Sequence, residues 1–66
     1  MDIVLNGTRE QIPENNTIEG LLKLKNIKPA GVVVEMNSKI LKATDWATTI
    51  IPENALIELI TFVGGG

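Results

Sequence analysis

Three consecutive glycines, Gly64, Gly65 and Gly66, follow the stretch ITFV. Without Cβ atoms they extend roughly 10 Å past a strand as a ribbon no wider than bare backbone. Such a ribbon can thread a terminal carboxylate into a narrow passage in another protein; an idle, frayed terminus is the alternative reading. The remaining inventory is thin. With no cysteine and no histidine there is no thiol nucleophile, no thiolate ligand, no imidazole base and none of the commonest metal ligand. Glu19, Glu35, Glu53 and Glu58 are spread so that no spacing pairs them on one element, which reads as solvated charge rather than an acid–base couple. If the glycines are a tool rather than slack, the terminal carboxylate of Gly66 is the candidate site.

The strand before the tail must present that carboxylate. If Ile57 and Leu59 face a core, period 2 puts Glu58, Ile60 and Phe62 on the opposite face, leaving large apolar residues open beside the tail. Their place next to the tail points to a docking surface made of Glu58, Ile60, Phe62 and Val63. The competing reading breaks the alternation and turns Phe62 into the core.

Other function classes fit poorly. A net charge of −2 lacks the basic patch that phosphate binding requires, so nucleic acid is not an expected partner. No apolar run is long enough to span a membrane, and Met1 leads directly into a strand pattern with Asp2 beside it, without a signal-peptide core. The expected location is the cytoplasm. A chain of 66 residues makes at most one domain and needs a dense core; the apolar content of 44%, mostly Ile, Leu and Val, supplies it. The expected organisation is one domain over residues 1–63 and a tail over 64–66.

The elements follow from periodicity and turn chemistry. Met1, Ile3 and Leu5 alternate with Asp2 and Val4, and Asn6-Gly7 suits a type I′ turn, so the chain opens as a hairpin whose second strand, Thr8 to Ile12, is an edge ended by Pro13. Asn6-Gly7 is read as a turn and nothing more. Thr17 is placed to cap a helix from about Thr17 to Asn26, with Glu19 in its first turn and Ile18, Leu21 and Leu22 as its apolar stripe. Lys25 interrupts that stripe, Gly20 weakens the helix, and Ile27 plugs its end. In GVVVEMN, Val32, Val34 and Met36 point inward and Val33 and Glu35 outward. Ile40 and Leu41 suit a brief strand. One helical turn capped by Thr44 then folds Trp46 under a loop, and Pro52 and Asn54 lead into a last strand, ALIELITFV. The expected core is Met1, Ile3, Leu5, Leu21, Leu22, Val34, Ile57 and Leu59, with the first and last strands paired in the middle of one sheet and the helix across one face.

Hairpin, helix, strands and a final strand running into glycines resemble the ubiquitin-like β-grasp fold, and in particular the family of thiamin-biosynthesis sulfur carriers known as ThiS. The likeness covers the whole chain. Its most specific part is IELITFVGGG; LNG, TIEGLL, GVVVEMN and the loop Trp46 also sit where that family has counterparts. Two features depart from it: PENA stands where the family often has Gly-Asp, and Lys25 replaces an apolar helix position. The resemblance implies an α+β fold, one mixed sheet of four to five strands with one main helix packed across it. It implies that the protein is not itself an enzyme and binds no cofactor. Gly66 would be adenylated with ATP by a ThiF-like adenylyltransferase, converted to a thiocarboxylate with sulfur from a persulfide enzyme, and presented to thiazole synthase to build the thiamin thiazole. The alternatives are a carrier for molybdopterin or tRNA thiolation, or a ubiquitin-like modifier or interaction module.

Overall fold

A computed structural model describes residues 1–62. Five strands and one helix follow in the order β1 (Asp2–Leu5), β2 (Thr8–Gln11), α1 (Ile18–Leu24), β3 (Val32–Met36), β4 (Lys39–Leu41) and β5 (Leu56–Thr61). The sheet order is β2-β1-β5-β3-β4. β1 and β5 run parallel, while every other pair is antiparallel. The expected mixed β-grasp sheet is thus present, with the first and last strands paired at its centre and β2 at an edge.

Each hairpin is closed by an asparagine in the left-handed region, Asn6 (φ 49°) before Gly7 and Asn37 (φ 51°) before Ser38. Asparagine tolerates that region better than most residues, so both turns reverse with the twist of their strands. The helix begins as expected: Thr17 Oγ1 accepts from Gly20 N–H at 3.0 Å. Two further amides of the first turn, Ile18 N–H and Glu19 N–H, donate to the loop carbonyls of Thr49 and Trp46. At the other end Asn26 takes a positive φ of 58°, and Ile27 N–H reaches back to Leu22 O at 2.8 Å. This left-handed cap stops the helix and lays Ile27, half-buried, against the core, as expected.

Alternation then fills the space between sheet and helix. Ile3, Ile18, Leu21, Leu22, Val34 and Ile57 are almost completely buried, and Leu5 and Leu59 nearly so. Met1 was expected among them but is only half-buried; it precedes β1, and its ammonium donates to Ile12 O at 2.8 Å, which keeps that end near the surface. Ile12, Ile51 and Ala55 join the core from segments outside the strands.

The expected cap Thr44 is corrected. The turn is a 3₁₀ segment, Ala43–Asp45, whose cap lies two residues earlier, at Lys42, without a side-chain hydrogen bond. Thr44 lies inside it, and Thr48 and Thr49 hydroxyls instead donate to Asp45 O. Trp46 is buried as expected, its indole N–H donating to Leu41 O at 3.2 Å. Lys25 is explained by its neighbour: it pairs with Glu10, which β2 presents on the helix side of the sheet. A polar strand edge beside the end of the helix accepts a lysine where an apolar residue would have no core to enter.

Candidate docking face and tail

β5 is the element that positions the candidate site, and it is held on both flanks. β3 pairs with it in register from Val32↔Thr61 to Met36↔Ile57. β1 ends at Leu5, so beyond Asn6 N–H→Ile57 O at 2.8 Å it offers β5 no further strand amide or carbonyl. Asn6 fills the gap with its side chain: Oδ1 accepts from Leu59 N–H at 2.8 Å. Asn37 does the same on the other flank, Oδ1 accepting from Leu56 N–H at 2.9 Å. The expectation that Asn6-Gly7 is a turn and nothing more is therefore corrected. Asx side chains commonly bond backbone nearby in sequence; these two instead reach across 53 and 19 residues. Sequence spacing carries no signal for that.

Past Thr61, Phe62 N–H donates to Gly31 O at 2.9 Å, so backbone pairing continues to the last described residue. Val63, Gly64, Gly65 and Gly66 lie outside the described residues, and with them the domain boundary placed at Val63.

The parity of β5 is as expected. Ile57 and Leu59 are buried; Ile60 is 49% exposed and Phe62 67%. The alternative that turned Phe62 into the core is overturned, because strict alternation through the β3 pairing carries it to the outer face. Glu58 is exposed on that face as well. The face is wider than sequence parity indicated. Cross-strand partners share a face, so Val33 lies beside Ile60, Glu35 beside Glu58, and Ile40 on the far side of Glu35. On the other flank Val4 lies beside Leu56. Leu56 and Ile40 are 55% and 69% exposed.

One reading of the charges is also corrected. Glu35 and Glu58 were taken as dispersed, and they are, along the sequence; sheet register makes them direct neighbours. The signal that finds them is register, which requires pairing β3 with β5 across the loop. Among the described residues neither has an ion-pair partner, the pairs being Arg9–Asp2 at 3.5 Å, Lys23–Glu19 at 4.0 Å and Lys25–Glu10. Among the described residues, too, no three His, Cys, Asp or Glu side chains gather as metal ligands, and no helix is long and apolar enough to cross a membrane.

The arrangement is a rigid central strand with an open, mostly apolar outer face that leads into the glycine tail. Comparison with known proteins bears on it directly. The sequence profile of the ThiS family matches residues 3–66. A thiazole synthase from Magnetococcus marinus is 33% identical over 66 residues and one from Paramagnetospirillum magneticum 29%; each match covers all of this chain and 20% of the relative. The chain thus spans one fifth of the length of these curated relatives. The crystal structure of the thiamine biosynthesis protein ThiS from Geobacter metallireducens superposes over the full length of both chains with a TM-score of 0.84 at 26% identity. A solution structure of a thiamine biosynthesis protein from the same organism gives 0.80 at 23% identity, covering all of this chain and 88% of the other, and agrees in fold.

Proposed function

The chain belongs to the ThiS family, and from that premise we propose that it is a sulfur carrier whose Gly66 carboxylate becomes a thiocarboxylate and gives its sulfur to the thiazole of thiamin. The observation that carries this reading is that the family match runs through Gly66, which follows in sequence a strand pinned on both flanks. The chain's own residues bind and present; the reacting steps belong to partner enzymes, in the cytoplasm where ATP is available.

A carboxylate is a poor electrophile. In a ThiF-like adenylyltransferase its oxygen attacks the α-phosphorus of ATP, forming an acyl-adenylate and releasing pyrophosphate. The terminal sulfur of a persulfide enzyme then attacks the acyl carbon and expels AMP. A thiol then attacks the enzyme-side sulfur of the resulting acyl disulfide, forming a new disulfide with the enzyme and releasing the thiocarboxylate, a sulfur nucleophile on a ribbon narrow enough to enter a second active site. Throughout, the outward residues Glu58, Ile60 and Phe62, together with Val63 beside them in sequence, dock the carrier so that the tail meets each site at a fixed distance. Thiazole synthase is the proposed acceptor, supported by two proteins of that name that contain a stretch similar to this whole chain.

The test is incubation with ATP, a sulfur source and the cognate adenylyltransferase, followed by intact-protein mass spectrometry. One oxygen exchanged for sulfur at the terminus is expected. Transfer to thiazole synthase, measured against molybdopterin synthase and a tRNA-thiolating enzyme, then fixes the acceptor. A terminus that stays a carboxylate, or forms an isopeptide bond instead, overturns the carrier reading.

A further inference from the structure

The outer face of the sheet carries a paired charge that the fold itself does not need. Glu35 and Glu58 are direct cross-strand neighbours, and like charges in that position repel. No described lysine or arginine forms an ion pair with either: Arg9, on the same face, is engaged with Asp2, and both other ion pairs lie elsewhere. Around the two carboxylates stand Ile60, Val33, Ile40 and Leu56, three of them among the most exposed large apolar residues of the molecule. An open apolar face with an uncompensated acidic centre describes its occupant.

A second copy of this chain is excluded by charge, since two such faces would bring four carboxylates together in a chain already at −2. Covering the patch with a purely apolar surface would strip water from two unpaired carboxylates, at a large cost. A cation entering between them removes both penalties at once, because it sees two charges at close range in a setting that docking makes less polar.

We propose that this face docks a protein surface whose apolar patch sits on Ile60, Val33, Ile40 and Leu56 and whose arginine or lysine enters between Glu35 and Glu58. The proposal deepens the carrier reading and relies on it only for the choice of probes. The acidic pair supplies selectivity and association rate, and the apolar ring supplies contact area.

Binding of the intact chain to its cognate adenylyltransferase and thiazole synthase is measured at low and high salt, for the parent, the double Glu35→Gln/Glu58→Gln variant, the double Glu35→Lys/Glu58→Lys variant and Ile60→Asp. The lysine variant is expected to bind at least tenfold more weakly to one or both probes. The glutamine variant is expected to lose most of the salt dependence without any fall in melting temperature, since it relieves a repulsion. If Ile60→Asp abolishes binding while both glutamate variants bind like the parent, the cationic partner is overturned and the docking face stands. If all variants bind like the parent, the face itself is overturned, and sulfur loading by mass spectrometry reports separately whether the carrier reading survives. A dimer of the parent that Ile60→Asp dissolves would make the occupant a second copy and also overturn the proposal.

Discussion

Width and reach meet at the glycines. On the proposed carrier reading, a carboxyl that enters an adenylation site and leaves it again cannot carry branched side chains beside it, and only glycine adds nothing to the backbone. Removing Gly66 is expected to abolish sulfur loading, and Gly65→Val to reduce it nearly as far, both with unchanged melting temperature; loading at the parent rate in either variant would show that the passage does not select on width. Asn6 acts at the same scale. Asn6→Gly keeps a backbone that accepts positive φ but leaves Leu59 N–H without its partner. The expected cost is roughly 1–2 kcal/mol, whereas Asn6→Asp, which keeps an oxygen in place, stays near the parent. Equal stability of the two variants in urea would remove this bond from the account. The turn at Asn6-Gly7 was legible in the sequence because that pair suits positive φ. The Asn6 bond was not, because nothing local distinguishes a turn asparagine that reaches a distant strand from one that does not.

Elements were read well wherever period and punctuation agreed. The hairpin turn at Asn6-Gly7, the helix capped by Thr17 and the alternation of β3 and β5 each rest on a residue pattern that is complete within a few positions. Errors arose where an element depends on its neighbours. The turn before Trp46 starts at Lys42 rather than Thr44 because Asp45 N–H closes on Lys42 O at 2.9 Å and Trp46 N–H on Ala43 O at 3.2 Å. Gly20, read only as a weak point of α1, also has a reason: a Cβ there would overlap Asn16 Oδ1, which accepts from Thr17 N–H at 3.0 Å. Gly20→Ala is therefore expected not to raise the melting temperature despite alanine's better helix propensity. A rise of several degrees would mean that Asn16 swings aside at no cost.

The whole molecule depends on one seam. Ile57 and Leu59 of β5 meet Ile3, Leu21, Leu22 and Val34 in a single core, so Leu59→Ala should cost about 2–5 kcal/mol, a large share of what so small a domain has. A denaturation midpoint equal to the parent's would take Leu59 out of that core. The outer face, by contrast, was only half legible. Parity along β5 exposes Ile60 and Phe62, but the acidic pair and the width of the apolar ring exist only once β3 is registered against β5.

The central place of β5 has a consequence for synthesis. β1 with β2 and β3 with β4 form as local hairpins, but they share no ladder with each other; only β5, pairing parallel to one and antiparallel to the other, joins them. A nascent chain that has not yet released residues 56–61 from the ribosome holds two separate hairpins and a helix with no sheet to cover. Contacts this distant in sequence slow the search for the native state. The core therefore closes in one step, when β5 becomes free to pair, and a chain cut short before β5 holds two hairpins with no common sheet.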